Sequence, residues 1–312
     1  MWLIFGKASA GRRDGDGRVD LSQARQLLGD APSSGAAAIP LFALQSLYGA
    51  ITMIAALLLG REGSAGFPGK NIHPVLGRPL MIYPLLAANA SKYVGQTYVS
   101  TDSAKIAVIA RDHGAMVIDR PTELCTAGAL GEEAFAHGYR VIRERLAKEG
   151  KTVELMVLLF ANAATITSAM IDEGIERLRA DPTLDSAVSV SRYNMWSPLR
   201  ARRLGEDGCL HPFVPLATFG DPATLNCDRD SQGDVYFADM SVSVVRPRCL
   251  EHLADGLLPQ RWMGRRIYPL TQWGGCDVDF AWQVPKVEYW LRAHGFSEAS
   301  TPYDAMVGTI AP

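Results

Sequence analysis

The apolar run Ile51–Leu59 ends in Leu59-Gly60-Arg61-Glu62-Gly63-Ser64-Ala65-Gly66-Phe67-Pro68-Gly69-Lys70-Asn71, a glycine-rich turn carrying two cations. Glycines lack a Cβ, so backbone N–H groups there can approach an anion closely. A triphosphate fits such a loop: Arg61 would meet its oxygens with a planar fork and Lys70 as a point charge. The spacing is neither GxxxxGK[ST] nor GxGxxG, and glycine content alone suits an ordinary tight βα turn better. Far along the chain, Asp277-Val278-Asp279 sets two carboxylates at alternating positions. On a short strand before the last helix, both would face one way. Two hard oxygen ligands suit Mg²⁺, which keeps water and completes its shell with substrate phosphates. The pair equally suits a solvated acidic cluster ahead of a helix N-terminus, where the macrodipole favours anions.

These residues need a scaffold, and the hydrophobic pattern supplies one. From residue 51 strands and helices alternate: strands over 51–59, 96–100, 116–118, 155–160, 186–191 and 242–246, and helices over 80–90, 103–113, 131–149, 167–180 and 282–294. Alternation of this kind predicts βαβ units and a mainly parallel sheet. Thr167 or Ser168 would cap its helix. The stretch 191–240, rich in Pro, Gly, Arg and Asp, reads as loops and hairpins forming a lid or dimerisation arm. Residues 1–50 read as an extension before a domain over 51–298, with a tail over 299–312. Met53 is a candidate biological start, because a complete first strand begins there. Asp14, Asp16, Gly17, Val19 and Asp20 only faintly echo a calcium loop, since Arg12 and Gln23 stand at its first and last ligand positions.

Composition narrows the class. The 312 residues are 48% hydrophobic and 21% charged, as in soluble globular chains. A net charge of −2 leaves no overall electrostatic footprint for nucleic acid. The run at 51–59 is too short for the ~20 residues of a spanning helix, and no secretory signal pattern opens the chain. Cys125, Cys209, Cys227, Cys249 and Cys276 are odd in number and lack metal-ligand spacing. They read as reduced thiols, mostly core filler, in a cytoplasmic protein.

The whole opening segment is more specific than its glycines. Arg61-Glu62-Gly63-Ser64, Phe67-Pro68-Gly69-Lys70-Asn71-Ile72 and Gly77-Arg78-Pro79-Leu80 resemble the start of the acylneuraminate (CMP-sialic acid) cytidylyltransferase family. Val99-Ser100-Thr101-Asp102, residues 107–114, Arg120-Pro121 with Glu123-Leu124, and Asp185-Ser186-Ala187-Val188-Ser189-Val190 follow in the family's order. The resemblance implies a three-layer, Rossmann-like α/β nucleotidyltransferase fold, CTP as co-substrate, a divalent metal and a homodimer. It makes Asp277 and Asp279 the metal ligands, with Arg61 and Lys70 holding the leaving pyrophosphate. Leu58, Leu59, Gly60, Gly63, Ser64, Asn71, Ser100, Asp102 and Asn162 would surround the nucleotide, and Arg120 would sit beside the base or the acceptor. The implied reaction is in-line attack of an acceptor oxygen on the α-phosphorus, with pyrophosphate leaving.

Two departures bear on the acceptor. Ala65 stands where the family usually has a second lysine, and Leu158-Leu159-Phe160-Ala161-Asn162-Ala163-Ala164-Thr165-Ile166 replaces a segment with the pattern Leu-Gln-Pro-Thr-Ser-Pro-Leu-Arg. Its glutamine and arginine are gone, so a sialic acid would leave polar groups unpaired. Arg200, Arg202, Arg203, Arg229, Arg246, Arg261, Arg265 and Arg266 offer replacements that would suit a compact dianion such as a phosphonate. Arg261, Arg265 and Arg266 are the candidate acceptor-binding group. A sugar acid and a phosphonate are therefore rival acceptors. A related enzyme using another nucleotide, or an inactive binding or dimerisation module of the same fold, are the alternatives. A dehydrogenase fits neither the glycine spacing nor the acid expected about 20 residues later.

Overall fold

The computed structural model describes residues 51–64, 66–126, 128–231 and 233–304, all within one unit of the chain. The expected N-terminal extension, its calcium-loop echo and Ala65 lie outside the described residues.

The central strand β1 (Ile51–Leu59) is buried from Ile54 onward, because it lies between two parallel neighbours and is covered on both faces. Its alternation divides the core. Ile54, Ala56 and Leu58 face one layer, and Ala55, Leu57 and Leu59 face the other. A two-residue hairpin of β2 (Pro74–Val75) and β3 (Arg78–Pro79) leads into α1 (Ile82–Asn89). Then follow β4 (Val94–Thr101), α2 (Ala104–Asp112), β5 (Met116–Asp119), α3 (Gly131–Lys148), β6 (Lys151–Phe160), α4 (Ser168–Ala180) and β7 (Ser186–Arg192). Thr167 caps α4, its hydroxyl accepting from the Met170 N–H.

Beyond β7 lie short 3₁₀ turns and a small hairpin of β8 (Arg202–Leu204) and β9 (Leu210–Pro212). The chain returns through β10 (Tyr236–Val245), α5 (Pro247–Glu251), β11 (Ile267–Gln272) and α6 (Val284–Ala293). The seven-stranded sheet has the order β11-β7-β10-β6-β1-β4-β5, with β10 antiparallel to both its neighbours and the other pairings parallel. Helices α1, α2 and α4 cover one face, whereas α3, α5 and the turn at Trp262 and Met263 cover the other. A third cluster packs Val287, Trp290 and Leu291 of α6 against Val75, Tyr83 and Val278.

Three expectations need correction. The stretch 191–240 holds more than loops and hairpins: the central-sheet strand β10 starts within it at Tyr236 and is broken by a register shift between Ala238 and Ser243, with Met240 at positive φ. A bulge of this kind erases the period-two signal. Strand β11 was not expected, since Pro269 argues against a strand; at the sheet edge its missing N–H costs nothing. Asp277-Val278-Asp279 is irregular chain instead of a strand, yet Val278 is buried while Asp279 is exposed, so the alternation itself survives.

All five cysteines are free thiols, but Cys209 and Cys227 are exposed and so are not core filler. Cys249 is 5% exposed, and burial pushes its thiol up to about 11. A raised value keeps the group protonated until higher pH, giving about two orders of magnitude less thiolate at a given alkaline pH than an ordinary cysteine. Iodoacetamide mapping by mass spectrometry should therefore label Cys209 and Cys227 first. Equally fast labelling of Cys249 in the folded protein would show that α5 is not packed as described.

Candidate active site

Strand order reverses beside β1, and ligands of open α/β sheets bind at the carboxyl ends of strands next to such a switch point. A cavity of ≈ 260 Å³ opens there. Leu59, Arg61, Gly63, Ser64, Lys70, Asn71, Arg120, Asn162 and Asp277, nine of the residues singled out from sequence, line it.

The loop after β1 is shaped by close backbone contacts. Gly60 donates its N–H to the Ser100 carbonyl at 3.2 Å, and a Cβ there would meet that of Ala161 at 3.2 Å. A Cβ at Gly66 would come within 2.9 Å of the Asp279 carbonyl oxygen, so this glycine lets the loop reach the acidic segment. Asn71 is buried and ties the loop to itself, its side-chain amide donating to the Arg61 carbonyl at 2.9 Å. Asp102 accepts from the Glu62 N–H at 3.1 Å. Leu58 is core, with no exposed surface, and contributes through its place in β1.

The acidic segment is held from the other side. Asn162, just past β6, donates to Asp277 Oδ2 at 3.3 Å and to the Val278 carbonyl at 3.0 Å, and its own carbonyl accepts the Val278 N–H at 2.9 Å. Burial pushes the Asp277 carboxyl above its ordinary value, and the charge of Asp279 adds to that; Lys70 and Asn162 oppose it. Lys70 Nζ lies 2.6 Å from Asp279 Oδ1, a contact spanning 209 residues. Loop cation and acidic pair thus converge on one spot. Two adjacent carboxylates facing a single lysine form an oxygen donor set with spare negative charge, which fits a hard divalent cation. Among the described residues no group of three or more His, Cys, Asp or Glu could hold a metal, so such an ion would draw the rest of its shell from water and phosphate.

Arg120 forms the opposite wall. It is 8% exposed, and its Nε donates to Ser100 Oγ at 3.1 Å while NH2 reaches the Ser100 carbonyl. Burial pulls its pKa down from the ordinary arginine value, and Arg61 nearby acts in the same direction. Arg61 donates to the Cys125 carbonyl at 3.2 Å. The floor also includes Leu130 and Gly131 at the start of α3, whose positive dipole end favours an anion. The helix itself was expected over 131–149, but its place on the cleft floor was not, because Leu130 offers no side-chain cap and no local motif marks its N-terminus as a ligand site.

A buried polar network beneath the acidic segment was also missed. Asp239 in the β10 bulge accepts from Ser189 Oγ at 2.5 Å, Ser191 Oγ at 2.8 Å, Gln272 Nε2 at 2.9 Å and the Ser241 N–H at 3.2 Å. Ser191 Oγ in turn accepts the Gly275 N–H at 2.9 Å, two residues before Asp277. A bulge had no periodicity by which to be read, and no local motif announces it.

Arg261, Arg265 and Arg266, expected at the acceptor, are not on this cavity. The Asp185 carboxylate accepts the N–H groups of Arg265 and Arg266 at 2.9 and 3.0 Å, which holds them at the turn before β11. Arg261 and Arg265 line a second cavity instead.

The fold is the Rossmann-like α/β fold of the nucleotidyltransferases. A solved CMP:2-keto-3-deoxy-manno-octonic acid synthetase complexed with CTP superposes with a TM-score of 0.54 over 77% of this chain and 99% of that one, at 13% identity, which shows the shared fold. Within the class, the resemblance to the acylneuraminate cytidylyltransferases is borne out. The cytidylyltransferase family model matches residues 55–137. The N-acylneuraminate cytidylyltransferase of Escherichia coli O18:K1:H7 is 29% identical over 143 residues, 46% of this chain and 32% of that protein. The 3-deoxy-manno-octulosonate cytidylyltransferase of Bdellovibrio bacteriovorus is 25% identical over 173 residues, 50% of this chain and 70% of that one. The chain spans about a third of the length of the Escherichia coli protein it matches.

Proposed function

We propose that this protein transfers CMP from CTP to a small acidic acceptor and releases pyrophosphate. The observation that carries the reading is the convergence of Lys70, Asp277, Asp279 and Asn162 at the mouth of a glycine-lined cleft. In this reading the loop from Gly60 to Asn71 cradles the triphosphate, and Lys70 leaves Asp279 to meet its oxygens. Arg61 neutralises the departing pyrophosphate, and Arg120, fixed by Ser100, orients the base. Asp277 and Asp279 hold Mg²⁺, which when bound would offset charge on the phosphates. The protein's part is positioning and charge compensation, as in phosphoryl transfer generally.

A carboxylated sugar acid is the acceptor class favoured by the names of the relatives. A phosphonate is a second reading, favoured by one observation. Ala161, Ala163, Ala164 and Ile166 are buried in the core, so the stretch around Asn162 presents to the cleft only Asn162 itself and the apolar Phe160, with no further side chain to pair with a polyhydroxylated acceptor. No helix among the described residues is long and apolar enough to cross a membrane.

Pyrophosphate release from CTP and Mg²⁺, run with N-acetylneuraminate, other nonulosonic acids and a panel of small phosphonates, tests the reading. Release should require one acceptor class and fail with GTP, UTP or ATP. Tight CTP binding with no release from any acceptor would instead favour an inactive module of this fold.

A further inference from the structure

The second cavity, ≈ 380 Å³, lies on the far side of the turn that carries Trp262. Its wall concentrates Arg248, Arg261, Arg265 and His252, against the carboxylates of Asp185 and Asp255. Asp185 is already engaged. One oxygen takes Arg248 Nε at 2.9 Å, and the other takes the two backbone N–H groups of Arg265 and Arg266. Arg248 is further fixed by the Leu184 carbonyl at 2.9 Å, and Arg265 Nε by the Asp255 carbonyl at 2.7 Å. Each of these guanidinium groups is thus anchored through some of its N–H groups, leaving others to face a ligand. Among the described residues, the Arg261 guanidinium and the His252 imidazole have no hydrogen-bond or ion-pair partner. Three guanidinium groups, two of them preorganised, exceed the charge that the wall itself neutralises.

We infer that this cavity is a second anion site that takes a phosphate group, either free or as a small monoester. Guanidinium forks match the oxygens of a tetrahedral dianion, and anchored arginines lose little side-chain freedom on binding. The turn carrying Arg261 and Trp262 links this cavity to the nucleotide cleft. The Arg261 N–H donates to Glu132 Oε2 at 3.1 Å, next to Gly131 of the cleft floor. The Trp262 ring packs on Phe135 at 5.6 Å and on Phe160, which lines the cleft, at 6.2 Å. An anion drawn onto Arg261 therefore pulls on a turn that braces the start of α3, so occupancy of the second cavity is felt at the cleft.

The test is calorimetric titration of inorganic phosphate, and separately of phosphoserine, into the full chain, with hydrogen exchange over residues 131–135. Lys70→Ala removes one cation of the nucleotide cleft, and Arg261 lies outside that cleft, so phosphate binding that survives Lys70→Ala and weakens with Arg261→Gln is binding at the second cavity. Arg261→Gln should weaken that remaining binding about tenfold or more, as expected for one lost charge-assisted contact, and Arg261→Lys should fall between. Phosphate should slow exchange over 131–135 in the Lys70→Ala protein but not once Arg261→Gln is added. The same melting temperature with and without Arg261→Gln excludes a folding defect. Phosphate binding lost with Lys70→Ala, or indifferent to Arg261→Gln, would overturn the site; binding without any change in exchange would overturn the coupling. Neither measurement depends on CTP, so failure here is separable from failure of the proposed reaction. A preference for phosphoserine over phosphate would assign an esterified ligand, and the reverse preference the free ion.

Discussion

Asp277→Asn is expected to cut pyrophosphate release by about 10³-fold while leaving the protein at least as stable as before. Asparagine keeps the size of the side chain and an oxygen to accept the Asn162 amide, so the segment should stay in place. What it loses is the charge. Burial and the neighbouring Asp279 hold the Asp277 carboxyl above its ordinary value, so ionising it costs more in the folded state than in the unfolded one. A group with that sign of shift destabilises the native protein wherever it is ionised, and the destabilisation is relieved as pH falls through the raised value. The neutral substitute removes it at every pH. Activity and stability should therefore move in opposite directions, a combination that a purely structural aspartate would not produce. Pyrophosphate release and thermal melting on one preparation check it. A drop in both would make Asp277 a structural residue, and retained activity would remove the carboxylate from the reaction.

Gly275→Ala should destabilise the protein by about 3 kcal/mol. A Cβ at this position would lie 2.2 Å from Asp239 Oδ2 and 2.5 Å from Gln272 Nε2. Neither neighbour can yield cheaply. Asp239 is held by two serine hydroxyls and a backbone N–H, and Gln272 also donates to the Thr165 carbonyl at 3.0 Å. Moving either leaves a buried polar group without its partner, in a place where water cannot replace it. The displaced segment carries Asp277, so the variant should lose activity along with stability. Gly131→Ala is the control, because its Cβ would find Phe160 at an ordinary 3.7 Å. Urea unfolding midpoints for the two variants distinguish the cases, and equal midpoints would show that the Asp239 network is not rigid.

Much of the scaffold was legible because its signals are local. The run Ile51–Leu59 reads as a strand buried on both faces from its unbroken apolar character, and Gly131–Lys148 reads as a helix from its period. The phosphate-type loop was legible for a similar reason, since glycines and cations within a dozen residues must occupy one turn. Strand β11 and the start of β10 were not, because a proline and a bulge interrupt the pattern by which strands are recognised.

By itself the sequence determined the order of the strands and helices up to β7, the composition of the loop and the presence of two alternating carboxylates, each a property of neighbouring residues. Only the tertiary structure decided which of these meet. Lys70 and Asp279 touch because β1 lies beside β6 and Asn162 grips the acidic segment, whereas Arg261, Arg265 and Arg266 are held at another cavity by Asp185. Contacts across two hundred residues depend on strand pairing and on buried hydrogen bonds, and a linear pattern records neither.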